Sequence, residues 1–178
     1  IFTKEEFTEV FDLSRISPVG PAFDPKKLEW MNGQYIMKMT NEDLLIKILA
    51  FYKDKNLDKN VVEASVPLVR ERMKIFADYW PLASFLFEKP QQYEIDLSAH
   101  KEMLQAVAET LKNMQEWSPD LIGEAMLQLA KEKNIPNSTF FMTLRVALSG
   151  KKITPPLNDS MAILGKAECI ARLHHIVS

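Results

Sequence analysis

Glycine, histidine and cysteine are scarce in this chain, whose 178 residues include five glycines, three histidines and one cysteine. So few glycines leave no glycine-rich loop of the kind that holds nucleotide phosphates. Cys169 cannot form a disulfide within the chain, which favours a reducing compartment and predicts a cytoplasmic protein. No apolar run approaches the ~18 residues of a membrane span, so we expect no membrane partner.

The few ligand-forming residues lack the spacing of a metal site or a nucleophilic centre. His174 and His175 are adjacent, so on a helix their side chains point about 100° apart and do not chelate one ion together. We interpret them as surface histidines, because a cation is favourable near a helix C-terminus. Cys169 lies in the helical pattern KAECIARL and is interpreted as a core or border residue. No catalytic residue and no metal site are therefore predicted.

The overall charge does not favour a nucleic-acid partner, and the distribution of charge indicates only where such a partner would bind. The net charge is −2 and the isoelectric point is about 6.0, whereas domains that bind nucleic acid are often basic. Residues 61–140 have a net charge of −4, and residues 141–178 have a net charge of +3. Any polyanionic partner is therefore expected at the C-terminal quarter, although an ordinary solvated surface also explains the pattern.

Apolar residues recur at helical spacing along almost the whole sequence, and no run alternates as a strand does, so the pattern predicts an all-α fold. Capping residues and proline at a first helical position indicate helix starts at Thr3, Asp24-Pro25, Thr40, Asp96, Ser118-Pro119 and Asn137 or Ser138. The helix after Asp96 is predicted over 97–116, and two short helices over 157–164 and 166–176. Pro18, Gly20 and Pro21 indicate a loop over 14–23.

One long helix is predicted over residues 59–80, because its apolar residues are three and four positions apart; Pro67 should kink it or mark its true start. On such a helix Arg72 lies at a border of the apolar stripe. Arg145 lies late in another helix, beside the loop KKITPP (151–156). Each arginine has two interpretations: a packed or ion-paired side chain, or a guanidinium that binds a nucleic-acid base. The spacing leaves both open.

Three stretches resemble one known family: FDLSRIS (11–17), FDPKKLEWMNGQYI (23–36) and ALSGKKITPPLNDSMAILGKAECIARL (147–173). They are similar to the C-terminal part of bacterial-type glutamyl-tRNA synthetases. The first two resemble the end of that family's stem-contact region and its first anticodon-domain helices. The third resembles its C-terminal signature, with [ST]-G, a Thr-Pro loop and LGK. Residues 90–135 match in helical pattern only.

The resemblance implies two small packed helical bundles that read the anticodon of glutamate tRNA. It implies a stem-contact tail over 1–22, a first anticodon-binding subdomain over 23–95 and a second over 96–178. The catalytic HxGH-type and KMSKS-type motifs of the family are absent, and the first residue is Ile rather than Met. We therefore expect a non-catalytic, monomeric fragment without a cofactor, from a glutamate–tRNA ligase that uses ATP and Mg²⁺.

The family's anticodon contacts fall on five residues of this sequence: Arg72, Arg145, Thr154, Pro155 and Leu157. Arg145 lies in the family's LR-x-AL[ST]G motif, and Arg72 falls on the arginine that reads the third anticodon base. Pro156 departs from the family, because some members have Gly there; this departure should stiffen the loop.

Two other functions remain open at this point. A helical protein-interaction scaffold without RNA binding could use the nine methionines on its helical faces to bind a partner. A small enzyme should show a deep pocket with strongly perturbed titratable groups.

Overall fold

The computed structural model describes residues 3–16, 19–20 and 22–178. Within these residues the chain forms helices and no β-strand, so the all-α prediction is confirmed. Its α-helices are α1 (Lys4–Val10), α2 (Pro25–Lys38), α3 (Asn41–Phe51), α4 (Lys59–Val69), α5 (Tyr79–Ala83), α6 (Lys101–Asn113), α7 (Pro119–Glu132), α8 (Asn137–Ser149), α9 (Leu157–Leu164) and α10 (Lys166–Val177). Short 3₁₀ turns cover Leu13–Arg15, Lys53–Lys55, Arg70–Arg72, Phe76–Asp78, Ser84–Leu86 and Ser98–His100.

Most helix starts lie where capping residues predict them, because a cap acts over only three or four residues. Thr3 and Glu6 form a capping box, with Glu6 N donating to Thr3 Oγ1 at 3.1 Å. Asp24, Thr40 and Ser118 each accept backbone N–H groups of the helix that follows.

The prediction of one long helix over residues 59–80 is wrong. Helix α4 ends at Val69, the chain continues as a 3₁₀ turn, and the backbone at Met73 is extended. Pro67 removes one helical hydrogen bond two residues before this end, which weakens the last turn. The predicted apolar stripe is buried as far as Met73. Beyond Met73 the structure buries Tyr79, whereas the stripe residues Phe76 and Trp80 are only partly buried.

Two smaller predictions also need correction. The side chain of Asp96 accepts a hydrogen bond from Ser98 N at 2.9 Å and so begins a 3₁₀ turn rather than α6 itself, which covers 101–113. Neither Asn137 nor Ser138 caps α8, because Pro136 occupies the cap position without a side-chain hydrogen bond. Of the loop predicted over 14–23, residues 17, 18 and 21 lie outside the described chain.

The buried apolar residues form two clusters. The first cluster draws on α2 to α5 and the turn after α5, from Ile36 to Leu86. The second draws on α6 to α10, from Leu97 to Leu173. Leu164, at the end of α9, packs against both clusters, and α9 also contacts α4. The boundary between residues 95 and 96 stays a prediction.

Two possible functional features are not found in the described part of the chain. No helix there has both the length and the apolar composition needed to cross a membrane. No group of three or more His, Cys, Asp or Glu side chains there is arranged to hold a metal ion.

Candidate nucleic-acid interface

The loop between α8 and α9, residues 150–156, begins at a glycine that the geometry requires. Gly150 has φ of +79°, a left-handed conformation that ends α8. A Cβ atom at this position would lie 2.6 Å from the carbonyl oxygen of Gln92. The Ser-Gly of the predicted signature therefore stops the helix and lets the segment before α6 pack against the loop.

This loop is fastened to that segment and to the first cluster. Glu94 N donates to Gly150 O at 2.9 Å, and Glu94 Oε2 accepts a hydrogen bond from Lys152 N at 2.7 Å. Lys151 Nζ donates to the carbonyl oxygen of Pro81 at 2.6 Å. The loop is thus attached at its first three residues.

Thr154 is the point at which two distant arginines meet. Arg72 Nη1 donates to the carbonyl oxygen of Thr154 at 2.6 Å, across 82 residues of sequence. Arg145 Nη1 donates to Thr154 Oγ1 at 2.6 Å and to Pro155 O at 3.1 Å. Thr154 itself is 3% exposed. Four of the five site residues predicted from sequence therefore belong to one hydrogen-bonded network.

Leu157, the fifth predicted residue, lies at the start of α9 and is 7% exposed. Its side chain belongs to the second buried cluster. The structure therefore places Leu157 in the second buried cluster, whereas Arg72 is exposed.

Arg72 is exposed at the end of the 3₁₀ turn after α4, and its neighbours hold that turn in place. Met73, 2% exposed, anchors the backbone in the first cluster. The carboxylate of Asp78 accepts a hydrogen bond from Lys74 N at 2.7 Å, and the side-chain amide of Asn32 donates to Lys74 O. Both the helix that was predicted here and the turn that is observed bring Arg72 to the surface, but only the turn is compatible with these bonds.

The two guanidinium groups have no carboxylate partner. In the described ranges the one ion pair joins Arg172 to Glu168, so neither Arg72 nor Arg145 is within 4 Å of an acidic oxygen. Burial lowers the pKa of the Arg145 guanidinium, and the nearby charge of Arg72 lowers that pKa further. Two like charges held together without a counter-charge favour an anionic ligand.

An open groove of about 400 Å³ lies beside Arg72. Its lining residues are Glu29, Arg72, Lys74, Ile75, Asp78, Pro81 and Leu82. Asp78 already accepts hydrogen bonds from two backbone N–H groups, at 2.7 and 3.0 Å, so much of its hydrogen-bonding capacity is used. The groove therefore combines an apolar wall with two cations, Arg72 and Lys74, and two carboxylates, Glu29 and Asp78.

Sequence reasoning missed two residues that hold this site in place. Glu94 binds the loop, and Arg172 Nη1 donates to the carbonyl oxygens of Phe85 and of Leu148, near the end of α8. Each acts through a contact with a part of the chain at least 24 residues away. No local motif marks such a contact. Lys151 lies in the loop identified from the sequence, but nothing in the sequence predicted its hydrogen bond to the carbonyl oxygen of Pro81.

Comparisons with known proteins agree with this architecture. A family profile described as "Anticodon binding domain" matches residues 28–177. Glutamate–tRNA ligases from Clostridium botulinum and Fervidobacterium nodosum are 35% and 33% identical over 189 and 173 aligned residues. Each alignment covers 97% of this chain, and 38% and 37% of the respective relative. The chain thus spans little more than a third of these curated relatives.

Two solved structures share the fold. A crystal structure of a glutamate tRNA ligase from Elizabethkingia meningosepticum, in complex with its amino acid, matches with a TM-score of 0.87 at 24% identity. The glutamate-tRNA synthetase from Elizabethkingia anophelis matches with a TM-score of 0.80 at 26% identity. The matches cover 97% of this chain and 36% and 35% of the two neighbours.

Proposed function

The chain belongs to the family of anticodon-binding domains, and on that premise we propose that it binds the anticodon loop of glutamate tRNA. The glutamate–tRNA ligase names of the relatives support the choice of tRNA and agree with the resemblance seen in the sequence. They favour RNA recognition over the protein-interaction scaffold. The proposed contact surface is the network around Thr154 together with the groove beside Arg72.

The meeting of Arg72 and Arg145 at Thr154 is the observation that carries this proposal. A guanidinium has five N–H donors in a planar fork, which can bond a base edge or stack on a base. In the described chain each of these two arginines forms its hydrogen bonds through Nη1. The remaining donors are free for RNA, and the bonds to the loop already hold each fork in place. Binding then requires little further ordering of these side chains.

The five residues have different roles in this proposal. Arg72, the exposed member beside the groove, contacts the third anticodon base. Arg145 contacts the neighbouring bases, which an unpaired loop can splay outward. Thr154 and Pro155 are buried, and their carbonyl oxygens hold the two arginines in position for this contact. Leu157 supports the loop from below, because it is buried.

The wider identity of the protein is also a proposal. We infer a non-catalytic, monomeric, cytoplasmic portion of a glutamate–tRNA ligase, with subdomains over 23–95 and 96–178 after a stem-contact tail. The HxGH-type and KMSKS-type motifs are absent from the sequence, which supports the proposal that this portion binds no cofactor of its own. The ATP and Mg²⁺ chemistry then belongs to the rest of the enzyme.

The test is equilibrium binding of this chain to a glutamate tRNA transcript at two salt concentrations, with transcripts changed at single anticodon bases. We expect anticodon-dependent binding that weakens with salt, because phosphate contacts release counterions. Arg145→Ala should lower the affinity about five- to 150-fold, since contacts of this kind supply roughly 1–3 kcal/mol.

Lys133→Ala is the control for charge, because it also removes one cation, and the Lys133 side chain is exposed and makes no described contact. Equal losses of affinity in the two variants would show that Arg145 acts only through general charge attraction to RNA. Binding that ignores the anticodon would contradict the proposed function.

A further inference from the structure

Ile153 is exposed to an unusual degree for a large apolar side chain in the second half of the chain. The Ile153 side chain is 76% exposed. Among the large apolar residues from 88 to 178, the second most exposed is Leu127, at 49%. Ile153 therefore contributes little to the packing of either buried cluster. Placing so apolar a side chain in water is unfavourable, and a partner that covered it would bind more tightly for that reason.

The loop cannot turn this side chain inward, because the residues on both sides are fixed. Lys152 N is bonded to the Glu94 carboxylate, and both oxygens of Thr154 accept hydrogen bonds from arginines. Pro155 and Pro156 follow and fix two further φ angles. Ile153 is thus presented on a stiff support, which loses little conformational entropy when a partner binds.

The neighbours of Ile153 define the chemistry of that partner. Lys152 is exposed. Arg72 and Arg145, which have no acidic partner in the described ranges, both donate hydrogen bonds to Thr154, the next residue of the loop. The carboxylate of Glu94 is engaged by Lys152 N. A ligand that fits this surface has a flat apolar face next to negative charge. An unstacked nucleotide has both, in its base and its phosphates.

We propose that the Ile153 side chain packs against the face of one unpaired base of the RNA loop, while the adjacent Lys152 cation binds a flanking phosphate. This contact rests on the proposed RNA-binding function and adds a residue that the sequence resemblance does not assign. It does not depend on the edge of the base, so it strengthens binding to any base at that position and does not discriminate among them.

The test compares Ile153→Ala with Leu127→Ala, an equally apolar change at an exposed residue on α7. Binding is measured against an anticodon stem-loop and against a set of stem-loops in which one loop base at a time is removed to leave an abasic site. Ile153→Ala should weaken binding to the intact stem-loop about five- to tenfold, because the shortened side chain buries less apolar area against the base. Leu127→Ala should leave the affinity unchanged, and both variants should keep the thermal unfolding midpoint of the parent chain.

The abasic series identifies the contact. Against one abasic RNA the loss caused by Ile153→Ala should disappear, because the base that it packs on is already missing. An unchanged affinity in Ile153→Ala, or an equal loss against every abasic RNA, would overturn the inference. In either case a continued loss in Arg145→Ala leaves the proposed function intact. If the parent chain binds neither the stem-loop nor the whole tRNA, the proposed function fails and this contact fails with it.

Discussion

Arg172 Nη1 donates a 2.7 Å hydrogen bond to the carbonyl oxygen of Phe85, a residue of the first buried cluster, whereas Arg172 itself lies on α10. The same nitrogen donates to Leu148 O, also at 2.7 Å, near the end of α8. Arg172 Nε pairs with Glu168 at 2.8 Å, and the arginine is 3% exposed. One buried guanidinium therefore joins the first cluster to the helix that leads into the Thr154 loop.

Replacing this arginine should loosen that junction. We expect Arg172→Met to lower the free energy of unfolding by about 2–3 kcal/mol, because two buried carbonyl oxygens lose a charged donor. The ion pair adds less, since Glu168 is 33% exposed and solvent screens it. Urea unfolding at neutral pH measures the change. Glu168→Gln is the control and should lower stability by less than about 1 kcal/mol; equal losses would place the effect in the ion pair instead.

Arg172 also shows which features the sequence could and could not predict. Its contacts with Phe85 and Leu148 span 87 and 24 residues, so they depend on how whole helices pack. Helix caps such as Asp24 act over three residues and were predicted correctly. The break after Val69 was missed because apolar residues continue at helical spacing in the sequence past this point, although the structure buries Tyr79 there rather than Trp80.

The site residues illustrate the same difference. Arg72, Arg145, Thr154 and Pro155 were assigned through the family resemblance, and the structure joins them in one network. Their separation by up to 83 residues gives no local signal of that proximity. Whether they contact RNA stays a prediction.

Discrimination at the third anticodon base should depend on Arg72. We expect Arg72→Gln to reduce the ratio of affinities between the correct and incorrect third bases more than it reduces the affinity itself, because Gln cannot reproduce the guanidinium fork. The measurement uses four stem-loops that differ only at this base. Arg72→Lys keeps the charge and should recover affinity but not discrimination. A uniform loss across all four RNAs would refute the specific role.

Alkaline pH should destabilise the chain through Cys169. Burial raises the pKa of its thiol to about 12, from an ordinary value near 9. The unfolded chain therefore loses this proton at a lower pH than the folded chain does. The resulting stability is fully present below pH ~9 and is lost as the pH rises toward 12. We expect the free energy of unfolding to fall by about 2 kcal/mol between pH 8 and pH 10.5 from this group.

Urea unfolding of the parent chain and of Cys169→Ala at both pH values isolates this contribution. The variant is less stable at each pH because it leaves a cavity, but its stability should fall less steeply with pH. Tyr79, whose pKa burial raises to about 12, titrates identically in both proteins and cancels in the comparison. Parallel losses in the two chains would show that the thiol does not titrate in this way.

Glu94 offers a test in which charge and positioning predict opposite results. Its carboxylate lies beside the proposed RNA surface, so removing its charge should favour RNA, whereas losing its bond to Lys152 N should free the loop. Glu94→Gln removes the charge but keeps an acceptor, and we expect unchanged or higher affinity for the stem-loop. Glu94→Ala removes both, and its affinity should fall about three- to tenfold below that of Glu94→Gln, because the freed loop must be ordered on binding. Equal affinities in the two variants would mean that this bond does not position the loop.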